Sequence, residues 1–356
     1  MSDTGDIDLV LIAGAGASRA FGVNNTRLPL MGEWSDHLVT KLREKPMGYL
    51  AATGLGLGMP GEEFERRLGD FLRSVDAFKS VGELLGPLTS IEPSRRPQGN
   101  DAEWSAWHSA LSFQLDEIVK VIYETLYEMF GAPTFDPGRA QQAYGALLST
   151  LGIGPASRWV YATTNYDTIG EAAIASNGGL PDSGDVQQPP GVSELPIRVE
   201  GILDGMPRYV PVLHLHGRVG WFRRSGGGLR SVPVQRYDAN IGTPVAMLPD
   251  LKKAYDGDPT IETLWRELAG ALSRARRVFV LGHSLHDEAL LRTLRDNVAT
   301  PESIAVTVYD NPEESTDASD VAERVVTQLP GAHTLPFRFE AGRDFMSEPL
   351  RAWLAG

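Results

Sequence analysis

Polar residues able to do chemistry collect where short apolar runs end. The clearest case is Thr164-Asn165-Tyr166-Asp167, which follows Trp159-Val160-Tyr161-Ala162. The apolar run reads as a buried strand and Tyr166 to Ala175 as an amphipathic helix. An Asn and an Asp at such a turn stand where α/β sheets place ligand-binding groups, outside the carboxyl ends of their strands. The same two residue types lead the helix-capping preferences, so the tetrapeptide alone reads first as a cap. Its company decides between the two.

Four more strand-like runs end in such residues. Asp8-Leu9-Val10-Leu11-Ile12-Ala13 leads into Gly14-Ala15-Gly16-Ala17-Ser18, a glycine turn that lets backbone approach closely and opens a helix toward an anion. Tyr209-Val210-Pro211-Val212-Leu213 runs into His214-Leu215-His216-Gly217. Arg277-Val278-Phe279-Val280-Leu281 ends in Gly282-His283-Ser284-Leu285-His286-Asp287, and Ile304 to Tyr309 ends in Asp310-Asn311-Pro312. A neutral histidine is the natural base near pH 7, and a carboxamide such as Asn165 fixes a hydroxyl or a water without adding charge. His214 and His216, two apart on a strand, share a face, but a metal pair would need further ligands from His283, His286 and Asp287. His214 reads instead as a hydrogen-bonded structural residue, His283 and His286 as turn or rim residues, and Asp287 as a cap. No metal is expected.

Two familiar phosphate motifs fail. Arg19 stands where a dinucleotide fingerprint needs Gly or Ala, and no second strand ending in an acid follows about twenty residues later. No Gly-Lys-Ser or Gly-Lys-Thr is present for a Walker-type loop.

The elements that must hold these residues are strands alternating with helices, which predicts an α/β fold with a Rossmann-like parallel sheet and helices on both faces. From Gly32 to Leu151 the pattern turns mostly helical, with Gly/Pro-rich connectors at Thr53 to Gly61 and Pro93 to Asn100. Phe64, Leu68, Phe71, Leu72 and Val75 fall on one face, as do Trp104, Trp107, Leu111, Leu115, Ile118, Ile122 and Leu126. These tryptophans read as core. The expected organisation is one α/β domain over 1–356, with 23–156 inserted as a helical block. Trp221 to Val234 predicts a hairpin around Gly226-Gly227-Gly228, and Asn177 to Val199 a surface loop.

The 356 residues are 42% hydrophobic and 22% charged, ordinary for a globular protein, with no apolar run long enough to span a membrane. The acidic, polar start is unlike a signal peptide. The absence of cysteine excludes disulfides and thiolate zinc sites. These features read as cytoplasmic. A formal charge of −13 repels nucleic acid and anionic membranes, so neither is an expected partner. Arg218, Arg223, Arg224, Arg230 and Arg236 read as a solvated hairpin rim.

The ordered set Gly-Ala-Gly-Ala-Ser, Thr-Thr-Asn-Tyr-Asp, Leu-His-Gly, Gly-His-Ser-Leu and Asp-Asn, each after a strand, resembles the sirtuin family. It is most similar to the bacterial sirtuin-like NAD hydrolases of anti-phage defence. The resemblance covers 7–22 and about 157–340. It implies that Gly14, Ala15, Gly16 and Ser18 surround the NAD pyrophosphate and that Thr164, Asn165 and Asp167 sit by the nicotinamide ribose. It implies His216 as the catalytic histidine, with Asn165 and Asp167 beside it. Gly282 and Ser284 would hold phosphate or adenosine ribose, and Asp310 and Asn311 would lie next to the adenosine. The four-cysteine zinc module of protein-deacylating sirtuins is absent, and Pro29 is followed by Leu30-Met31-Gly32 rather than their acidic-aromatic-arginine segment. Both departures point away from deacylation and leave NAD binding intact. The resemblance therefore implies an NAD+ hydrolase releasing nicotinamide and ADP-ribose without zinc, an effector of antiviral defence gated by homo-oligomerisation or a partner protein. The alternatives are a catalytically silent NAD or ADP-ribose sensor that docks a partner, and an NAD-dependent deacylase or ADP-ribosyltransferase.

Overall fold

Seven short strands run parallel in one sheet. The computed structural model describes residues 6–23, 28, 31–45, 48–58, 61–89, 101–131, 134–184, 195–224, 228–232, 237, 240–246, 258–309, 316–339 and 347–355. Asp310, Asn311, Arg236, the Gly226-Gly227 pair and the connector 93–100 lie outside them. In chain order the sheet strands are β1 (Leu9–Ala13), β2 (Trp159–Thr163), β3 (Pro181–Asp182), β5 (Val210–His214), β9 (Val278–Leu281), β10 (Ile304–Tyr309) and β11 (His333–Phe337). Their spatial order is β11-β10-β9-β1-β2-β5-β3, all parallel. From β1 the chain first builds outward on one side and then returns to build on the other. That reversal makes the β1/β9 boundary the switch point of a doubly wound sheet.

Both faces of the sheet are covered, which is why β1, β2 and β5 are apolar without interruption and fully buried. Val10, Ile12, Val160 and Leu213 face α8 (Pro259–Leu272), α9 (Glu288–Asn297) and α10 (Thr316–Gln328). Leu9, Leu11, Tyr161 and Phe279 face α1 (Ala15–Arg19), α6 (Pro137–Thr150), α7 (Ile169–Ser176) and α11 (Glu348–Ala355). A smaller antiparallel sheet, in the order β4-β7-β6-β8, joins β4 (Leu195–Pro196), β6 (Gly217–Arg223), β7 (Leu229–Ser231) and β8 (Thr243–Ala246). It contains the expected hairpin, in which Trp221 pairs with Ser231 and Arg223 with Leu229.

The described residues divide into two compact units, one from Met1–Leu30, Phe130–Met247 and Ala254–Gly356, the other from Met31–Met129. The second unit holds α2 (Met31–Arg43), α3 (Gly48–Leu55), α4 (Gly61–Thr89) and most of α5 (Asp101–Phe130). It is narrower than 23–156 because α6 belongs to the sheet: Ala140, Ala143, Tyr144 and Leu147 form a buried stripe against β1 and β2 residues. Helix α3 extends through Thr53 to Leu55, residues read above as connector. Within this unit Phe64, Leu68, Val75, Ile118, Ile122 and Leu126 are buried. Trp107 is not core: it is 54% exposed, with its ring edge-on to Phe78 at 6.0 Å. Helical spacing put it on the apolar face, but burial on that face sets in only from Ile118 onward.

The switch point is held by contact between two backbone turns. The N–H of Gly14 donates to Leu281 O at 2.9 Å and that of Gly16 to Gly282 O at 2.9 Å. A Cβ at Gly14 would lie 2.7 Å from Gly282 O, and one at Gly282 would lie 2.3 Å from Ala17 N. Gly282 also has φ +59 and donates its N–H to Thr307 Oγ1 at 2.9 Å. Gly282→Ala therefore adds both left-handed strain and overlap with backbone that has nowhere to move. A stability loss of about 2–4 kcal/mol is expected in urea denaturation; a change under about 0.5 kcal/mol, the scale of a neutral surface substitution, would refute the interlock.

Candidate active site

The carboxyl ends of β1, β2, β5 and β9 deliver the polar residues of the first unit. Thr163, the last residue of β2, pairs in register with Ala13 and His214, the last residues of β1 and β5. Asn165 and His216 therefore each lie two residues beyond paired positions on neighbouring strands.

Asn165 is fixed from three directions and 8% exposed. Its N–H donates to Thr163 Oγ1 at 3.0 Å, and its Nδ2 donates to Gly14 O at 2.9 Å and to Ser18 Oγ at 2.8 Å. Thr163 Oγ1 in turn donates to Ala13 O at 3.1 Å, and the N–H of Thr164 donates to the same oxygen at 3.2 Å. Ser18 also hydrogen-bonds Asp167, whose Oδ1 accepts from the N–H of Ile169 at 3.0 Å. So Asn165, Ser18 and Asp167 form one network, and Asp167 also satisfies the first turn of α7. Burial raises the carboxyl pKa of Asp167; the Ser18 and Ile169 hydrogen bonds pull the other way without cancelling the rise.

The glycine turn is used differently from a simple anion cradle. The N–H groups of Gly14, Gly16 and Ala17 are taken by Leu281 O, Gly282 O and Gly14 O. The missing Cβ atoms of Gly14 and Gly16 make room for the β9 turn. Ala15 and Ser18 sit on the same short α1, with Ser18 buried and Ala15 exposed. Gly282 and Ser284 lie across the switch point from them, and Ser284 is exposed, its carbonyl accepting from Arg324 Nη1 at 2.8 Å.

His214 and His216 part company, because the regular strand ends at His214 and the chain turns back into β6 through Gly217, whose φ is +72. His214 is fully buried and its Nε2 meets Glu171 Oε1, on α7, at 2.7 Å. The same oxygen accepts from Arg218 Nη1 at 2.7 Å and from Ser183 Oγ at 3.3 Å, while Arg218 Nη2 donates to Ser231 Oγ at 3.0 Å. Burial pushes the Glu171 carboxyl up, but the charges and hydrogen bonds of His214 and Arg218 outweigh it and bring the pKa to about 2. Arg218 thus leaves the expected solvated rim and ties the small sheet to α7 and β5. Arg223 does likewise toward α8, with Nη2 2.8 Å from Asp258 Oδ2.

His216 reaches the opposite face. Its Nε2 lies 2.9 Å from Asp287 Oδ2, and both side chains are 5% exposed. The indole of Trp265 flanks the imidazole at 6.4 Å between ring centres, and its N–H donates to Leu215 O at 3.1 Å. Asp287, read above only as a cap, does cap α9: Oδ1 accepts from the N–H groups of Ala289 and Leu290 at 3.0 and 3.2 Å. The partnership with His216 had no local signal, since 71 residues separate the two. His283 serves its own turn, Nδ1 accepting from the N–H of Leu285 at 2.9 Å. The two strand-end histidines share no ligand set, and among the described residues no group of three or more His, Cys, Asp or Glu is placed to hold a metal ion.

No protein-family model matches the chain, and no curated protein does. Among solved structures it is similar to that of Sir2Tm bound to a propionylated peptide, at 13% identity and a TM-score of 0.33, over 92% of this chain and 95% of that one. Among the described residues no helix is long and apolar enough to cross a membrane.

The two buried carboxylates predict opposite acid responses. Glu171 is depressed from 4.5 to about 2, so its stabilisation is present above pH 4.5 and lost as pH falls toward 2. Glu171→Gln should lower stability at pH 7 by on the order of 3 kcal/mol, the gap to wild type closing across that acid window in melting experiments. Asp167 is raised, so its favourable contribution lies at low pH and is lost as pH rises through its folded value. Asp167→Asn should melt higher than wild type at pH 7; a lower melting temperature would contradict a carboxylate held there at a cost.

Proposed function

We propose that the chain is an NAD+ glycohydrolase that cleaves the nicotinamide–ribose bond with Asn165 and His216 as its central groups. The observation that carries the reading is a buried base and a fixed carboxamide at equivalent positions on adjacent strand ends, beside the switch point of a doubly wound sheet. Open α/β sheets bind their ligands in that crevice. The motif resemblance to sirtuin-like NAD hydrolases supplies the choice of NAD.

NAD suits the donor set in part. The side chains of Asn165, Ser18, Asp167 and His216 suit ribose hydroxyls and a water, being polar groups of fixed orientation. Gly14 and Gly16 bring backbone close to the crevice, although both of their N–H groups are already bonded within the fold. Gly282 and Ser284 are assigned to phosphate or adenosine ribose by the resemblance, and Thr164 belongs to the β2 turn. Asp310 and Asn311, assigned to the adenosine by the resemblance, lie outside the described residues.

Cleavage breaks the C1′–N bond with both electrons leaving on nitrogen, so nicotinamide departs neutral and the ribose carries oxocarbenium-like charge. Water adds its oxygen to C1′ and passes a proton to His216, giving ADP-ribose. Asn165 orients the ribose or the water without adding charge, and the buried surroundings exclude competing solvent. No zinc takes part in this reading. A defence role, with activation by self-association or a partner protein, comes with the resemblance; a cytoplasmic setting is read from the lack of cysteine. In the silent-sensor alternative, the helical unit Met31–Met129 is the proposed docking element.

The test is incubation of the purified chain with NAD, with and without neighbouring gene products, followed by chromatography of nucleotides. Asn165→Ala and His216→Ala should each slow nicotinamide release by roughly 10²–10⁴-fold. Unchanged release in both variants would remove the site assignment. Tight NAD binding without turnover under every condition would leave a silent sensor, and acyl-peptide consumption coupled to NAD loss would revive deacylation.

A further inference from the structure

We propose that Asp287 is a positioning residue for His216, reaching it from the far side of the switch point and fixing which ring nitrogen is basic. The proposal rests on reading His216 as the base, but its geometry stands independently. β5 and β9 are three strand spacings apart, about 14 Å, with β1 and β2 between them. Asp287 nevertheless sits 2.9 Å from His216, so the segment after β9 must cross that distance. It does so through an unusual backbone. Leu285 has φ +57, the single non-glycine residue in the left-handed region among the described residues, and is fully buried. For a leucine that conformation costs about 1–3 kcal/mol and persists only where its surroundings enforce it. Here His283 Nδ1 accepts the Leu285 N–H and Arg324 binds the Ser284 carbonyl, so the strained turn is braced on both sides.

The identity of residue 287 follows from two demands on one side chain. Capping α9 alone is met by Ser, Thr, Asn or Asp equally well. Accepting the Nε2–H of a buried imidazole while also capping needs two acceptor oxygens held at a fixed angle, which a carboxylate has. Oδ1 is locked by Ala289 and Leu290, so Oδ2 is presented to His216 without rotational freedom. A carboxylate there fixes the tautomer with hydrogen on Nε2, makes Nδ1 the proton-accepting atom, and stabilises the imidazolium once a proton arrives.

The experiment reads the tautomer directly. Two-dimensional ¹⁵N NMR of the full chain, with the His216 signals identified by their loss in His216→Ala, should give hydrogen on Nε2 in the wild type. Asp287→Asn keeps an oxygen for the cap while turning an N–H toward the ring, and should shift His216 toward the Nδ1–H form. Its NAD cleavage should fall about 100-fold or more through kcat, with KM changed less than about threefold. Asp287→Ser, a cap without the carboxylate, should fold and show the same loss. The double variant with His216→Ala should be no slower than His216→Ala alone. An Nδ1–H tautomer in the wild type overturns the proposal, and so does full activity in both Asp287 variants. An Nε2–H tautomer that switches in Asp287→Asn, in a chain that never cleaves NAD, upholds the positioning and sinks the hydrolase reading instead.

Discussion

Everything at the carboxyl edge of the sheet depends on two turns that touch without side chains. Gly14 and Gly16 follow the central strand, Gly282 follows its neighbour, and the backbones bond directly at 2.9 Å. A methyl group on any of the three would occupy space already filled by the other turn. This contact sets the separation of β1 and β9 at the place where the winding of the sheet reverses. From it follow the placement of Ser18 on α1, its bond to Asn165, and the origin of the segment that carries Asp287 across to His216.

The polar groups along this edge fall into two electrostatic kinds. Glu171, His214 and Arg218 answer one another, and the hydrogen bonds and charges around Glu171 hold its carboxylate ionised well into acid. Such a cluster fixes structure: it joins α7, β5 and the small sheet, and leaves the imidazole of His214 committed. Asp167 has no cation in direct contact among its bonds, only the Ser18 hydroxyl and the N–H of Ile169, and burial dominates. A carboxylate kept at a cost, next to a carboxamide locked by two acceptors, is what a site tuned for something other than stability resembles. His214 and His216, two positions apart, thus answer to different carboxylates, Glu171 and Asp287.

Much of the fold was legible because buried parallel strands must be apolar on both faces, so β1, β2, β5, β9 and β10 read as apolar runs with polar ends, whereas β3 lies in the stretch read as a surface loop. The same logic gave the strand-end residues, and the register of Thr163 with Ala13 and His214 brings Asn165 and His216 onto adjacent turns. What stayed hidden was set by tertiary contact. Period-two alternation put His214 and His216 on one face, but alternation lasts only while the strand does, and Gly217 turns the chain. Asp287 carried every mark of an ordinary cap and is one; its second oxygen answers to a residue 71 positions away. Helix α6 looked like part of the helical block because its neighbours are helices, yet its small-residue stripe of Ala140 and Ala143 fits it to the sheet. Trp107 followed the helical spacing to a face that has not yet met its core.

The order in which the sheet is wound has a kinetic consequence. The central strand pairs with distant parts of the chain, Leu9 with Trp159 and Val10 with Val278. Closing such long loops is entropically costly before any contact rewards it, and topologies rich in distant pairings fold slowly. The apolar Leu9–Ala13 segment therefore has no strand partner until those distant parts are present. The Asn165 turn is anchored to Gly14 and Ser18, and His216 to Asp287, so neither half of the edge is complete until β9 has docked. Without β9 and the segment after it, His216 lacks Asp287 and the Gly14 turn lacks its bonds to Leu281 and Gly282.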